Sequence, residues 1–149
     1  MSESLLWDKQ NNQYIVDLRD SDGYIEALVI WKRTIVGRIQ CIVEPSKTLF
    51  IGNIEIFENP ILPRNGLFSL RPFQRPKRNF RQLGLGSAML EYIIALATRQ
   101  GMVGIRGEVT TDDALKTPYL IEWYRQHGFS IDESDKTAQG KKATIYRGL

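Results

Sequence analysis

The sequence predicts an α/β fold of mixed α+β type, with a mostly antiparallel twisted sheet of about six to seven strands and two main helices. The first third of the chain is rich in β-branched and aromatic residues between turn signals, which is typical of strands. Two later segments carry apolar residues at helical spacing. With 42% hydrophobic and 25% charged residues, we expect residues 1–149 to form a single globular domain.

Four extended segments are predicted in the first third, at residues 14–18, 24–31, 34–43 and 48–57. The turn signals between them are DSDG at 20–23, KRT at 32–34 and EPSK at 44–47. An antiparallel meander is the simplest arrangement of these strands. Three further strands are predicted later in the chain, at residues 103–110, 129–131 and 143–148.

The first helix is predicted from Ser87 to about Gln100, followed by Gly101 as the residue that ends it. Its apolar residues recur at i, i+3, i+4 and i+7, namely Leu90, Ile93, Ile94 and Ala97. A second helix is predicted to start at Thr117, with Pro118 in the first helical position, and to stop at Gly128.

Cysteine and histidine usage argues against metal chemistry. Cys41 is the only cysteine and His127 the only histidine, so an internal disulfide and a multi-cysteine metal site are excluded. Cys41 is expected to be a small buried hydrophobic residue. The N-terminus lacks a basic region followed by an apolar run, and we expect a cytoplasmic protein without a membrane partner.

Residues 58–79 are predicted to form a long loop, because they hold four of the six prolines. The overlapping window 71–81 holds five of the 20 lysines and arginines and none of the 17 acidic residues. Such local charge favours one anionic partner at one place. A nucleic acid stacked on Phe73 and Phe80 is a minor alternative.

A glycine turn precedes the first helix, in the sequence RQLGLGS at residues 81–87. Glycines at this position let a backbone approach a ligand closely, and a helix N-terminus suits a phosphate. A dinucleotide fingerprint would need a third glycine where Met89 stands, and a P-loop would need a lysine after Gly86. Both of those phosphate sites are excluded.

This turn resembles the pyrophosphate loop of the GNAT superfamily of acyl-CoA N-acyltransferases, whose signature is Arg/Gln-x-x-Gly-x-Gly/Ala. Other segments resemble the family in the same order: IVG at 35–37 its third strand, IEI at 54–56 its fourth, EV at 108–109 its fifth, and TPYLIEWYRQHGF at 117–129 a later helix. The resemblance covers roughly residues 24–148 and implies a GNAT-like domain with a splay between strands 4 and 5.

The resemblance implies acetyl-CoA as cosubstrate and no metal. The pyrophosphate would lie on the N–H groups of residues 82–87, and the pantetheine arm would pair with the main chain of the fourth strand. The residues implied in cofactor binding are Ile54, Ile56, Arg81, Gln82, Leu83, Gly84, Leu85, Gly86 and Ser87.

The implied activity is N-acetyl transfer from acetyl-CoA to a primary amine in a direct ternary complex. Tyr124, four residues before Gly128, is the implied general acid, and Glu108 is the implied general base. Glu55 is the reserve candidate for the base, and Asp112 and Asp113 are the third choice. The oxyanion donor would be a main-chain N–H near residues 56–57.

The chain departs from the family pattern in several places. Only DSDG stands where two helices usually follow the first strand in the family. The loop TTDDALK at 110–116 is longer than in the family, and Thr117 stands where many members have asparagine. We expect residues 58–79 to form a flap over the acceptor site. The acceptor stays open between a small-molecule amine and a peptide, a homodimer stays open, and an acyl-CoA-binding module without catalysis is the main alternative.

Overall fold

The computed structural model describes residues 3–61, 84–133 and 141–149. The basic window 71–81 and most of the segment 58–79 lie outside these residues, so the flap stays a prediction. The strands are β1 Glu3–Trp7, β2 Gln13–Ser21, β3 Tyr24–Trp31, β4 Thr34–Val43, β5 Thr48–Ile61, β6 Gly104–Thr110, β7 Ser130–Asp132 and β8 Lys141–Gly148. The helices are α1 Leu85–Arg99, α2 Thr111–Lys116 and α3 Leu120–Gln126.

The strands form one sheet in the order β1-β2-β3-β4-β5-β6-β8-β7. The pairs β1–β2, β2–β3, β6–β8 and β7–β8 are antiparallel, and the pair β5–β6 is parallel. The predicted fold class, a mostly antiparallel sheet with a few helices, is therefore confirmed. The contacts divide the chain into two compact units, residues 1–40 with 53–92 and residues 41–52 with 93–149.

In the first unit, strands β1 to β3 form a meander joined by tight turns. The register pairs Leu5 with Ile15 and Ile15 with Ile30. The alternate residues Tyr14 and Val16 are fully buried, which is the period of two that a half-buried strand requires. Within residues 3–61 no helix interrupts this meander, as the sequence predicted.

Strand β1 is not among the predicted strands, and with it the part of the chain that the structure describes has eight strands. Its sequence ESLLW has only five residues, and Leu6 is buried while Leu5 and Trp7 are exposed. The strand forms because β2 offers a free edge for backbone pairing from Glu3 to Trp7.

In the second unit, β6 is the central strand between β5 and β8. Residues Thr48 to Ile51 of β5 pair in parallel with Gly104 to Gly107 of β6. Tyr146 of β8 lies over Gly104, where a built Cβ would overlap the tyrosine hydroxyl. A glycine is needed at this position because a larger side chain would displace the ring.

Helix α1 is the longest helix among the described residues, and its end has the predicted geometry. Gly101 has φ of +72°, its N–H bonds to the carbonyl of Thr98 at 3.2 Å, and the N–H of Met102 bonds to the carbonyl of Ala97 at 3.0 Å. These two bonds are a Schellman motif. The helix begins at Leu85, two residues before the predicted start.

The region after β6 differs from the prediction. Residues expected to form a loop make helix α2, because Thr110 and Asp113 form a capping box in which each side chain accepts the other's backbone N–H. Thr117 ends this helix, and α3 starts at Leu120 rather than at Thr117. The predicted second helix therefore corresponds to α3 alone, which is shorter than predicted and ends at Gln126, and α2 is an additional helix before it. Of the helices described, none is long and apolar enough to span a bilayer.

Candidate functional site

The first turn of α1 is built by the glycines that the sequence singled out. Gly84 precedes the helix with φ of +76°, and its carbonyl accepts the N–H of Ala88 at 3.1 Å, which is the first bond of the helix. Leu85 and Gly86 therefore occupy the first turn, where backbone N–H groups have no acceptor within the helix. The same turn holds no acidic residue. This end of α1 suits an anion such as a phosphate.

A lysine from the β1–β2 turn packs on Gly84. A Cβ built on Gly84 would lie 3.4 Å from Cδ, 3.5 Å from Cγ and 3.7 Å from Cβ of Lys9. The aliphatic stem of Lys9 thus lies along the glycine, while the residue as a whole is exposed. Gly84 is needed for its positive φ and leaves room for this neighbour.

The β1–β2 turn that carries Lys9 is organised by Asp8. The buried carboxylate of Asp8 accepts hydrogen bonds from the N–H groups of Gln10 and Asn12 at 2.9 and 3.0 Å, from the Asn12 side-chain amide at 2.9 Å, and from the Tyr14 hydroxyl at 2.8 Å. Burial alone would raise the pKa of Asp8, but these hydrogen bonds outweigh it and lower the pKa below its usual value. The conformation of the turn is therefore stabilised by hydrogen bonds to the Asp8 carboxylate inside it.

Ile54 and Ile56 alternate with Glu55 along β5, and all three residues are half-buried. The carboxylate of Glu55 lies 3.0 Å from the Arg38 guanidinium and also accepts the side-chain amide of Asn53. The Arg38 guanidinium lies 5.7 Å from the centre of the Phe57 ring. Glu55, the reserve candidate for the base, is thus part of an ion pair on this strand.

Tyr124 is buried in α3, with its ring against those of Trp123 and Phe129 at centroid distances of 4.9 and 5.4 Å. Burial raises its pKa above the ordinary value, and Asp113 and Cys41 act in the same direction. The hydroxyl therefore stays protonated through the physiological pH range. Cys41 is itself fully buried, and burial raises the pKa of its thiol to about 12, so it is an unreactive core residue, as predicted.

Glu108 is exposed on β6, where the buried residues Gly107 and Val109 flank it. Its carboxylate lies 3.8 Å from the guanidinium of Arg106. Arg106 also binds Glu44 through two hydrogen bonds of 3.0 and 2.9 Å. Glu108, the first candidate for the base, is thus next to a cation that is already engaged.

The third-choice carboxylates have local partners in α2. Asp112 lies 2.9 Å from the Lys116 ammonium, and Asp113 accepts the N–H of Thr110 at 3.2 Å in the capping box. Asp113 is nevertheless the carboxylate that acts on the pKa of Tyr124. Of the predicted cofactor-binding residues, Arg81, Gln82 and Leu83 lie outside the described residues.

Comparison with known proteins gives structural matches only. No family model and no curated protein matches the sequence. A GNAT-family acetyltransferase from Staphylococcus aureus Mu50 matches with a TM-score of 0.59 and 19% identity, over 85% of this chain and 69% of the other. The ribosomal-protein-S18-alanine N-acetyltransferase of Escherichia coli matches with a TM-score of 0.54 and 18% identity, over 85% and 68%. The chain has the GNAT fold.

A third structure with the GNAT fold, the PaiA N-acetyltransferase from Thermoplasma acidophilum, was solved in complex with coenzyme A. It matches with a TM-score of 0.52 and 11% identity, over 83% of this chain and 60% of the other. Identities this low show the fold alone. The residues that act in this chain have to be argued from its own side chains.

The GNAT fold explains the ladder between β5 and β6, the predicted fourth and fifth strands. Four positions pair, the last being Ile51 with Gly107, although β5 continues to Ile61 and β6 to Thr110. The hydrogen-bonded ladder between the two strands therefore ends before either strand does. Across residues 3–61, 84–133 and 141–149, no group of three histidine, cysteine or acidic side chains could hold a metal ion.

Two features of the site were missed from the sequence. Lys9 lies 75 positions from Gly84 in the sequence, and a single exposed lysine gives no pattern that would place it there. The capping box of α2 did have a signal, since Thr110 is followed three residues later by Asp113.

Proposed function

We propose that this protein is an N-acetyltransferase that transfers the acetyl group of acetyl-CoA to a primary amine in a direct ternary complex. The observation that carries the proposal is the glycine turn at the N-terminus of α1, in a chain with the GNAT fold. The complex of one structural neighbour with coenzyme A supports a CoA-type cosubstrate.

The residues present suit the pyrophosphate of coenzyme A. Gly84 has a positive φ that turns the chain into α1, and the N–H groups of Leu85 and Gly86 are in the first turn of the helix. Helix N-termini favour anionic ligands through these N–H groups and the helix dipole. Main-chain groups of Ile54 and Ile56 on β5 are proposed to pair with the pantetheine arm.

Acetyl transfer requires a neutral amine, a stabilised oxyanion and a hydrogen-bond or proton donor for the leaving thiolate. The amine nitrogen attacks the thioester carbonyl carbon, a C–N bond forms, and the carbonyl oxygen gains negative charge that a main-chain N–H near residues 56–57 stabilises. Collapse of this intermediate breaks the C–S bond. The amine proton passes to a base, and the thiolate receives a proton or a hydrogen bond.

Tyr124 is proposed as the donor to the leaving thiolate. Because burial raises its pKa, the hydroxyl carries its proton at every pH at which the protein would work. The same raised pKa opposes complete transfer of that proton to a thiolate, whose ordinary pKa is about 8.5. Tyr124 therefore acts first as a hydrogen-bond donor to the developing negative charge on sulfur.

Glu108 is proposed as the base that accepts the amine proton, with Glu55 as the competing candidate. Each carboxylate has an arginine neighbour, Arg106 at 3.8 Å for Glu108 and Arg38 at 3.0 Å for Glu55. Glu108 is exposed and can exchange protons with water, whereas Glu55 is half-buried and also bonded to Asn53.

A matched pair of variants distinguishes the two carboxylates. Glu108→Gln should lower kcat about 10²-fold while the affinity for acetyl-CoA is retained, because a general base contributes about 10²- to 10⁴-fold. Glu55→Gln should change kcat by less than about threefold, since it removes no proton acceptor from the reaction. The opposite ranking would assign the base to Glu55.

The proposed function itself is tested by two measurements on the wild-type chain. Calorimetry should detect binding of coenzyme A and acetyl-CoA, and a panel of small amines and peptides should yield acetyl-CoA consumption with an acetylated product visible by mass spectrometry. If the chain bound neither coenzyme A nor acetyl-CoA, the proposal would be refuted.

An acyl-CoA-binding module without catalysis is the second candidate. The observation that favours it is that both candidate bases have an arginine partner rather than standing alone. Binding of coenzyme A without turnover of any amine in the panel would support this reading over the enzyme.

A further inference from the structure

We propose that Lys9 binds the pyrophosphate of the CoA-type cosubstrate, a role that rests on the proposed function. Nothing in the family resemblance assigns this residue, which lies in the β1–β2 turn ahead of the resembling segment. The inference starts from the contact between the stem of Lys9 and Gly84, a residue of the proposed pyrophosphate turn that directly precedes α1.

The contact places a long cationic side chain beside the start of α1. Three successive carbons of Lys9, from Cβ to Cδ, lie within 3.7 Å of the position that a Cβ on Gly84 would take. The remaining Cε and the ammonium therefore extend from a stem that is already seated at this helix end. Since Lys9 is exposed, its ammonium stays accessible to a ligand.

Among residues 3–61, 84–133 and 141–149, no carboxylate forms an ion pair with the Lys9 ammonium. The first turn of α1 holds no acidic residue. Asp8 is next to Lys9 in sequence, but its carboxylate is buried and accepts hydrogen bonds from Gln10, Asn12 and Tyr14. The Asp8 carboxylate is therefore already occupied by hydrogen bonds within the β1–β2 turn.

The stem contact leaves the Lys9 ammonium within reach of the N-terminus of α1, and a cation brought to this end is unfavourable in the absence of an anion, because the helix dipole is positive there. An anionic ligand resolves this arrangement, since it would receive the N–H groups of the first turn and the ammonium together. The hydrogen bonds of Asp8 fix the turn, so little conformational freedom of its backbone remains to be lost when the ligand binds.

The ligand chemistry is that of a diphosphate, and coenzyme A offers two phosphate sources, its pyrophosphate and its 3′-phosphate. We commit to the pyrophosphate, because Gly84 belongs to the proposed pyrophosphate turn and the stem of Lys9 contacts that residue. A ligand that lacks only the 3′-phosphate separates the two sources.

The experiment measures dissociation constants of coenzyme A and 3′-dephospho-CoA for the wild type, Lys9→Met and Lys47→Met by calorimetry. Methionine keeps an aliphatic stem on Gly84 and removes the charge. Lys47 is the matched control, an exposed lysine in a turn between strands with φ of +59°. Lys9→Met should weaken both ligands by a similar factor of roughly 5- to 30-fold, the range of a charge-assisted contact that is partly screened by water.

Lys47→Met should bind both ligands as the wild type does. The difference in affinity between the wild type and Lys9→Met should also be smaller at about 0.5 M salt, where the Debye length falls well below 10 Å. Unchanged affinity in Lys9→Met, with a wild type that binds, would overturn the role of Lys9 alone. A loss confined to coenzyme A would move Lys9 to the 3′-phosphate and overturn the pyrophosphate assignment. A wild type that binds neither ligand would refute the proposed function and this inference with it.

Discussion

Gly84→Ala is the substitution that separates backbone strain from ligand binding at the proposed cosubstrate site. Gly84 has φ of +76°, and an L-residue in the left-handed region costs about 1–2 kcal/mol. The new Cβ would meet the Lys9 stem at 3.4–3.7 Å, which is ordinary van der Waals contact and adds little to that cost. We therefore expect a loss of about 1–2 kcal/mol in the free energy of unfolding.

Gly101→Ala is the matched control at the other end of the same helix. Gly101 has φ of +72°, and a Cβ built there has no heavy atom within 4 Å apart from its chain neighbours. The two substitutions carry the same backbone cost and differ in what lies beside them. Both should lower the melting temperature by about 2–8 °C, since 1 kcal/mol corresponds to roughly 2–4 °C in a chain of this size.

The affinity for coenzyme A should differ between the two variants. Gly84→Ala puts a methyl group where the proposed ligand and the Lys9 stem approach the backbone. We therefore expect the dissociation constant of coenzyme A to rise at least tenfold, measured at a temperature well below both melting transitions. Gly101→Ala should bind as tightly as the wild type. Thermal unfolding followed by circular dichroism and calorimetry with coenzyme A measure the two quantities. Equal affinities in the two variants would refute the assignment of Gly84 to ligand binding.

Two further substitutions test Tyr124 and Asp8. Tyr124→Phe should lower kcat by about 10²-fold with little change in the affinity for acetyl-CoA, because only the donor to the thiolate is removed; the exposed Tyr119, changed to phenylalanine, is its control. The raised pKa of Tyr124 further predicts no loss of activity from its ionisation up to about pH 10. Asp8→Asn should lower the free energy of unfolding at pH 7 by about 1–3 kcal/mol, since its hydrogen-bond donors lose a charged acceptor.

The pH dependence of the Asp8 variant follows from the sign of the pKa shift. The pKa of Asp8 is lower in the folded chain than in the unfolded one, so its stabilisation is present above the unfolded value of about 3.9 and is lost as the pH falls through the folded value. The stability gap between wild type and Asp8→Asn should therefore narrow in denaturation at about pH 3. A gap that is the same at both pH values would contradict this account, and wild-type kcat in Tyr124→Phe would assign that tyrosine to packing.

Local signals account for the parts of the fold that were predicted correctly. The end of α1 follows from an apolar period of 3.6 residues and a glycine in the left-handed region, both of which involve neighbours in the sequence. Strands β3 and β4 have the predicted bounds, because alternation and turn residues mark them. Strand β1 was missed because an edge strand depends on the neighbour that it pairs with.

In the candidate site, too, some features follow from local sequence and others from contacts between distant segments. The sequence by itself determined the glycine turn before α1 and the candidate residues Tyr124 and Glu108, since a motif and its spacing are local. The fold that they suggest was then confirmed by structural similarity.

Only the tertiary structure decided the surroundings of these residues. It buried Tyr124 and so raised its pKa, joined Arg106 to Glu44 across 62 positions of sequence, and brought the stem of Lys9 onto Gly84. Each of these contacts depends on the path of the chain between distant segments. The physical reason is that charge and burial act through space, whereas propensity and periodicity act along the chain.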